Sequence, residues 1–178
     1  MHNQDLYQKT ILFAGNAHIG QKIPGTDVSY IVHISNVCME VIAALTKDAS
    51  GVDENVCMQG ALLHDTIEDT AVTFEELAKI FGEDVAKVVQ ALTKNEALPK
   101  SERMLDSLNR IIVAGKEAAI IKIADRIVNL QPPPQHWPKE KIIAYRKEAQ
   151  LILEKLGSFH QYLSERLAKK IEEYLVYC

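Results

Sequence analysis

The sequence predicts an all-α protein that forms a single domain. Apolar residues recur at spacings of three and four almost throughout the 178 residues, and no segment alternates in polarity between hairpin turns. A chain of this length can bury a real core, whereas two independent domains would be cramped. We therefore expect helices joined by short loops around one core.

Periodicity and capping residues predict the helices of the N-terminal half. The expected helices cover residues 5–18, 30–47, 53–68 and 74–81. Thr73 and Glu76 have the spacing of a capping box at the start of the last of these, and Gly82 ends it. The segment GQKIPGTDVS, between the first two helices, is rich in turn residues and is expected to be mobile or to face a ligand.

The C-terminal half is predicted in the same way. Helices are expected over residues 83–95, from Pro99 as a first helical residue, and over 118–130, 139–156 and 159–177. Three consecutive prolines, residues 132–134, end the strongly apolar helix 118–130, because proline excludes the α conformation before it and a helical hydrogen bond after it.

Composition restricts the function and the location of the protein. The chain has 20 basic and 24 acidic side chains, so a net charge of −4 argues against a nucleic-acid partner, although a small phosphorylated ligand needs only a local cluster of cations. Three cysteines without a CxxC pair favour a reducing compartment, which makes the cytoplasm the expected location. No apolar run or leader-like N-terminus indicates a membrane or export.

The segment HDTIEDT, residues 64–70, carries four groups that can bind a metal or transfer protons. On one continuous helix these groups would share a sector of roughly 140°. They are His64, Asp65, Glu68 and Asp69. One turn earlier, Gly60 and Ala61 are small enough to leave room beside that face for an ion or a substrate.

Two interpretations of this acidic cluster are open. It could be a solvated helix end, but carboxylates near a helix C-terminus are unfavourable unless a positive group compensates them, and a divalent metal is the simplest such group. A metal site also needs ligands from other helices, for which His33 and Asp125 are the best candidates. Alternatively, His33 is a packed structural residue, and Asp125 pairs with Arg126 or Lys122.

These residues carry a family resemblance. His33, the pair His64-Asp65, and Asp125 form an H…HD…D pattern that resembles the HD phosphohydrolase superfamily, and HDTIEDT resembles the hydrolase domain of RelA/SpoT proteins and their small stand-alone relatives. Further similar segments are YIVH, TFEELAKIFGEDVAKVVQALTK and IKIADRIVNL. The resemblance covers about residues 5–156 of a single domain 1–178, leaving an extra C-terminal helix in 157–178.

The resemblance implies an all-α HD-domain helical bundle that binds one divalent ion, usually Mn²⁺. It implies four metal ligands, namely His33, His64, Asp65 and Asp125. Glu68 and Asp69 would be the catalytic pair, and Asn129 would contact the nucleotide sugar. The implied reaction removes the 3′-diphosphate of guanosine tetra- or pentaphosphate, which releases pyrophosphate and GDP or GTP.

The substrate-binding residues are less well defined. Lys22, Lys100 and Arg103 occupy positions where the family keeps basic residues toward the ligand, although each could be an ordinary solvated charge. Tyr145 either lines the nucleotide pocket or packs between the final helices. The oligomeric state is not predicted.

This chain also departs from the family pattern in ways that concern the substrate. Lys22-Ile23 replaces a common Arg-Lys pair, and Ser29 and Ile34 replace two common prolines. Two alternatives to alarmone hydrolysis therefore stay open. The chain could remove phosphate from another nucleotide, such as an adenine alarmone or a phosphorylated nicotinamide cofactor, or it could be a nucleotide-sensing module with weak catalysis.

Overall fold

The fold is all-α, as predicted. The computed structural model describes residues 3–178, and within them the chain forms ten α-helices and no β-strand. A single isolated bridge between Lys22 and Ser29 closes the loop after the first helix. Within the same residues, no helix combines the length and apolar character that a bilayer span requires.

The helix bounds mostly agree with the sequence prediction. The helices are α1 (Gln4–Ala17), α2 (Ile31–Leu45), α3 (Glu54–Leu63), α4 (Thr66–Asp69), α5 (Phe74–Phe81), α6 (Glu83–Leu92), α7 (Lys100–Ala114), α8 (Lys116–Asn129), α9 (Lys139–Leu156) and α10 (Gln161–Glu173). Two 3₁₀ turns, Gly157–Phe159 and Tyr174–Tyr177, precede and follow α10, so the helix predicted over 159–177 is interrupted at both ends.

Helix α8 lies at the centre of the bundle. It packs against α2, α3, α6, α7, α9 and α10, and every residue from 118 to 127 is buried. A helix surrounded on all sides has no polar face, which explains the apolar composition of this segment. Each large aliphatic side chain buried here contributes roughly 1.5–3 kcal/mol relative to an exposed one. This packing also brings Asp125 to the interior.

The predicted start and end of α5 are confirmed. The Thr73 hydroxyl accepts a hydrogen bond from the backbone N–H of Glu76 at 3.2 Å, as expected for a helix N-cap. Gly82 follows with φ = 95°, a conformation that favours glycine, and it joins α5 directly to α6.

The prediction of one continuous helix over residues 53–68 is wrong. Helix α3 ends at Leu63, and the single-turn helix α4 begins at Thr66. The Nδ1–H of His64 donates to the carbonyl of Ala61 at 2.8 Å, and the Thr66 hydroxyl donates to the carbonyl of Leu63 at 2.7 Å. Side chains thus satisfy carbonyl groups at the end of α3, and the backbone can turn at Asp65, where φ is −103° and ψ is 0°.

The space beside Gly60 is occupied by packing rather than by a site. A Cβ atom at this position would lie 2.8 Å from Cδ1 of Ile121 and 3.1 Å from Cγ1 of Val88. The expectation that Gly60 leaves room for an ion or a substrate is therefore wrong. Its small size instead allows α3 to approach α6 and α8 closely.

Candidate metal centre and active site

The interruption between α3 and α4 orients the side chain of His64. Because its Nδ1–H donates to the carbonyl of Ala61, the proton of the neutral ring is on Nδ1 and the lone pair is on Nε2. A hydrogen bond from one ring nitrogen to a carbonyl is the usual way in which a protein orients a metal-binding histidine. The local structure thus directs a donor nitrogen into the bundle.

Side chains from three helical elements converge at this nitrogen. His33 on α2, His64 after α3 and Asp125 on α8 each offer a donor atom, and these atoms all lie within 4.8 Å of one another. The Nε2 atom of His33 is 3.5 Å from Oδ1 of Asp125, and Nε2 of His64 is 3.8 Å from the same oxygen.

Asp65 lies beside this group. Its Oδ2 atom is 2.9 Å from Nε2 of His64 and 3.8 Å from Nε2 of His33. The structure thus brings together all four residues that were predicted to bind metal. Within residues 3–178, the group of His33, His64 and Asp125 is the one in which all donor atoms approach so closely.

The chemistry of the centre fits a divalent cation. The Nε2 atom of His33 is buried and makes no hydrogen bond with any residue between 3 and 178, and the buried Nε2 atom of His64 contacts only carboxylates, with Oδ2 of Asp65 at 2.9 Å. A buried polar atom left without a partner is unfavourable by about 1–3 kcal/mol. Two imidazole nitrogens beside two carboxylates form a donor set typical of Mn, Fe or Zn sites. We conclude that these residues can hold a metal ion.

The negative charge of the centre alters the pKa of its histidines. Burial disfavours the charged form of His64, but Asp65 and Asp125 outweigh burial and raise the pKa of His64 to about 9. Burial lowers the pKa of His33, against the influence of Asp125. The surroundings of His64 therefore favour positive charge at the point where a cation would lie.

Neighbouring side chains hold the two carboxylates in place. The Tyr30 hydroxyl donates to Oδ2 of Asp65 at 2.5 Å. Asp125 accepts from Nζ of Lys122 at 3.2 Å through Oδ2, and from Nδ2 of Asn129 at 2.5 Å through Oδ1. Lys122 opposes the effect of burial and, with His64, holds the pKa of Asp125 below its usual range. Such outer contacts orient ligands and tune their basicity.

Glu68 and Asp69 point to different partners because α4 is separate from α3. Glu68 accepts two hydrogen bonds from Lys94, at 2.5 Å from Nζ and at 2.9 Å from the backbone N–H. Asp69 accepts from Nε2 of Gln21 at 2.8 Å. The expectation of one continuous acidic helix face is wrong, but the four groups of HDTIEDT still line one cavity of about 240 Å³ together with Tyr30 and Asn129.

Lysine residues also compensate part of the acidic charge. Lys94 pairs with Glu68, and Lys122 pairs with Asp125. The inference of a metal from uncompensated helix charge alone was therefore incomplete, because cations on α8 and after α6 neutralise two of the carboxylates. The convergence of two buried imidazole nitrogens on the oxygen of Asp125 is the stronger indication of a cation site.

Two further cavities adjoin the centre. One, of about 280 Å³, contains the predicted residues Lys100, Arg103, Asn129 and Tyr145 as well as Lys94, Lys122 and Arg126. The guanidinium of Arg126 stacks on the ring of Tyr145 at 4.2 Å from its centroid. Tyr145 thus both lines this cavity and packs between helices.

Arg103 and Lys22 have other partners. Arg103 donates to the carbonyls of Leu98 and Glu96 at 2.9 and 2.8 Å, so it holds the segment between α6 and α7. Lys22 forms an exposed ion pair with Asp27 at 2.6 Å and lines none of these three cavities.

The largest of the three cavities, of about 680 Å³, is lined by His33 of the centre; it shares Asn129 with both of the other cavities and Tyr145 with the cavity of about 280 Å³. Apolar side chains form much of its wall, namely Ile23, Pro24, Met39, Ile127, Pro132, Pro134 and Trp137. Arg166 and Lys170 of α10 also line it, so the C-terminal helix takes part in the cleft. A cleft with an apolar side and a cationic side beside a metal centre suits a nucleotide.

Sequence reasoning missed several functional residues. The sequence indicates no role for Tyr30 beyond its place in the segment YIVH, and it indicates none for Lys94, Gln21 or His18. Lys122 was considered only as an alternative partner for Asp125. Tyr30 and Lys122 are one turn from a predicted ligand, and this spacing could have identified them. The contacts of Lys94 with Glu68 and of Gln21 with Asp69 span 26 and 48 residues and carry no local signal, and His18 is linked to Asp69 only through Gln21.

A comparison with known protein families identifies the class of protein to which this metal centre and fold belong. The HD-domain family model matches residues 11–158, which is most of the chain. The chain belongs to the HD-domain family.

Individual relatives share most of its length. A zebrafish (Danio rerio) protein named guanosine-3′,5′-bis(diphosphate) 3′-pyrophosphohydrolase MESH1 is 30% identical over 164 residues, which cover 89% of this chain and 88% of that protein. The protein of the same name from Drosophila melanogaster is 32% identical over 79% of this chain and 78% of its own. The solved structure described as a metazoan ortholog of SpoT that hydrolyses ppGpp superposes with a TM-score of 0.83, with 26% identity and 97% of each chain covered.

Proposed function

We propose that this protein is a metal-dependent guanosine-3′,5′-bis(diphosphate) 3′-pyrophosphohydrolase, which converts guanosine tetra- or pentaphosphate to GDP or GTP and pyrophosphate. The observation that carries the proposal is the convergence of two buried imidazole nitrogens with the carboxylates of Asp65 and Asp125, beside Glu68 and Asp69. The relatives with this named activity are similar over most of the chain, and Glu68 and Asp69 are both present.

In this proposal His33, His64, Asp65 and Asp125 hold one divalent cation, with Mn²⁺ as the expected ion. When bound, the cation supplies Lewis-acid activation of water and withdraws charge from the phosphoryl group under attack. Tyr30 and Asn129 keep the ligand carboxylates oriented through the hydrogen bonds of 2.5 Å that they donate. These two hydrogen bonds thereby limit the movement of Asp65 and Asp125 during turnover.

Glu68 and Asp69 have different environments, which suggests different roles. Glu68 accepts two hydrogen bonds from Lys94 and is held in one orientation, which suits the positioning of the attacking water. Burial raises the pKa of Asp69, so a proton is more easily carried there. Asp69 is therefore the better candidate to donate a proton to the leaving 3′-oxygen.

The adjoining cavities provide places for the rest of the nucleotide. Lys94, Lys100 and Lys122 line the cavity of about 280 Å³, called the cationic cavity below, and their ammonium groups suit phosphate oxygens. Asn129 borders all three cavities, which is consistent with the predicted contact to the sugar. Arg103 and Tyr145 contribute to the wall of the cationic cavity, and Lys22 would have to leave Asp27 to reach a phosphate.

A nucleotide panel tests the proposal. Purified protein is incubated with Mn²⁺ and each nucleotide, and pyrophosphate and orthophosphate are scored separately. Release of pyrophosphate from guanosine tetraphosphate, and its loss after chelation by EDTA, is the expected result. Release of orthophosphate from a monoester but no pyrophosphate, or binding without turnover, would contradict it.

A second candidate is a phosphatase for another nucleotide, such as an adenine alarmone or a phosphorylated nicotinamide cofactor. Ile23 and Pro24 line the large cavity, and Lys22 pairs with Asp27 outside it. One cation commonly used by the family is thus replaced by an apolar wall, which changes the recognition of base and phosphate. The same panel distinguishes this candidate by its orthophosphate product.

Three further expectations belong to this proposal. All 178 residues act as one catalytic domain, because α10 packs on α8 and α9 and buries Leu163 and Leu167. The three cysteines are free, which suits the expected cytoplasmic location. The reaction would place the protein in the metabolism of stringent-response nucleotides.

A further inference from the structure

A chain of hydrogen bonds leads from the end of α1 to the carboxylate of Asp69. Nδ1 of His18 lies 2.6 Å from Oε1 of Gln21, and Nε2 of Gln21 donates to Oδ2 of Asp69 at 2.8 Å. His18 is 3% exposed, yet neither the metal centre nor the proposed reaction uses it directly. A polar ring this deeply buried is expected to have a specific partner.

The backbone around Gln21 is also held firmly. Its N–H donates to the carbonyl of His18 at 3.0 Å, and its carbonyl accepts from the N–H of Tyr30 at 3.0 Å. Gly20, with φ = 81°, allows the turn between His18 and Gln21. Both backbone groups of Gln21, the N–H and the carbonyl, are therefore hydrogen-bonded, and these bonds fix the point from which its side chain extends.

The types of donor and acceptor determine the orientation of the Gln21 amide. Oδ2 of Asp69 accepts a hydrogen bond whether the group is ionised or carries its proton on Oδ1, so the NH₂ group of Gln21 must face Asp69 and its oxygen must face His18. The proton of His18 is then on Nδ1. Consistent with this tautomer, Nε2 of His18 is buried and has no hydrogen-bond partner between residues 3 and 178.

Asp69 has few other restraints. It lies at the end of the single-turn helix α4, and its one side-chain hydrogen bond within residues 3–178 is the bond from Gln21 to Oδ2. Oδ1 is thus available to the reaction. Without Gln21, the Asp69 side chain would be free to rotate.

We propose that His18 is a positioning residue for Asp69 and acts through Gln21. By accepting from His18, the Gln21 oxygen prevents the amide from flipping, and the NH₂ group stays directed at Oδ2 of Asp69. The partner of Asp69 is a neutral amide, whereas the partner of Glu68 is the charged Lys94, so the relay orients Asp69 without adding a positive charge beside it. This inference rests on the proposed function, in which Asp69 carries the proton.

Two substitutions of His18 test the relay in the full-length protein with Mn²⁺. His18→Phe keeps an aromatic ring but removes the donor, and His18→Asn offers a side-chain NH₂ near the position of Nδ1. We expect His18→Phe to lower kcat about 10- to 100-fold, the range typical for outer contacts that orient a functional group, with KM and Mn²⁺ affinity unchanged. His18→Asn is expected to recover a large part of kcat. Unchanged kcat in His18→Phe, or equal losses in both variants, would overturn the proposal.

A matched control and a second variant separate positioning from folding. His160 is also buried, but its Nε2 bonds to the carbonyl of Asp48 and it caps α10, so His160→Phe is expected to lower the melting temperature and not kcat. Gln21→Glu, at a half-buried position, would place a second carboxylate against Asp69. We expect it to lower kcat as much as His18→Phe does, and a wild-type kcat in this variant would overturn the proposal.

Nuclear magnetic resonance of ¹⁵N-histidine protein tests the relay without any substrate. The His18 signals, identified by their loss in His18→Phe, should show a protonated Nδ1 and an unprotonated Nε2. The opposite tautomer would overturn the inference even if the protein hydrolyses the alarmone. The expected tautomer without alarmone hydrolysis would instead contradict the proposed function, so the two failures are distinguishable.

Discussion

Lys94 binds Glu68 through both its backbone N–H and its ammonium group, so a single residue after α6 satisfies both oxygens of that carboxylate. The pair joins α4 to the segment that leads into α7, across 26 positions of sequence. Although burial opposes the charge on Lys94, the bond to Glu68 raises the pKa of the lysine. The Lys94 ammonium group therefore stays charged at neutral pH and orients Glu68 within the cavity.

Removal of the Lys94 ammonium should affect turnover more than binding of the metal. We expect Lys94→Met to lower kcat about 10- to 100-fold, because Glu68 loses the charged partner that orients it. Mn²⁺ affinity should stay within about twofold, since Lys94 contacts none of the proposed ligands. Steady-state kinetics and calorimetry measure the two effects.

Lys87→Met provides the matched control for this variant. Lys87 is an exposed lysine of α6 that pairs with Glu83 at 2.8 Å, away from the cavities that adjoin the metal centre. We expect the Lys87→Met variant to retain the wild-type kcat. Equal kcat values for Lys94→Met and Lys87→Met would contradict the role assigned to Lys94.

Loss of one proposed ligand should abolish metal-dependent hydrolysis. Asp65→Ala removes a carboxylate whose Oδ2 lies 2.9 Å from Nε2 of His64. We expect weaker Mn²⁺ binding, measured by calorimetry, and a fall in kcat/KM of at least about 100-fold, since metal catalysis contributes several kcal/mol. Asp106→Ala, which removes a surface ion pair with Arg110, should behave like the wild type. Undiminished turnover in Asp65→Ala would refute the proposed centre.

Metal binding should strengthen as pH rises. Asp65 and Asp125 raise the pKa of His64 to about 9, so below that pH a proton on the imidazole competes with the cation. Between pH 6 and 8 the apparent Mn²⁺ affinity should therefore increase by up to about tenfold per pH unit for one displaced proton. Calorimetry in buffers with different ionisation enthalpies measures both the affinity and the proton release. A pH-independent affinity with no proton released would contradict this interpretation of His64.

Gly60 should be needed for packing of α3. In Gly60→Ala the added Cβ would lie 2.8 Å from Ile121 and 3.1 Å from Val88, and such overpacking is unfavourable by about 1–3 kcal/mol. We expect a lower free energy of unfolding in urea. The control, Gly15→Ala in α1, places its Cβ 3.7 Å from Ile31 and should stabilise the protein by about 0.5–1 kcal/mol because alanine favours the helix. Equal effects at the two positions would be inconsistent with this packing.

The helical class, most helix bounds and the identity of the residues that meet at the centre could be predicted without a structure. These properties depend on local signals, such as apolar spacing, the Thr73 cap and Gly82. The H…HD…D pattern identified His33, His64, Asp65 and Asp125 as a group, because their residue types and their family resemblance are visible without coordinates. These assignments needed no knowledge of how the helices pack.

The orientations of these residues and the identities of their hydrogen-bond partners depend on the tertiary structure. The backbone turns at Asp65 because two side chains bond to carbonyls of α3, and this competition with the helix has no signature in apolar spacing. Lys94 reaches Glu68 over 26 residues, and Gln21 reaches Asp69 over 48. The packing of distant helices sets such contacts, so periodicity along one helix could not predict them.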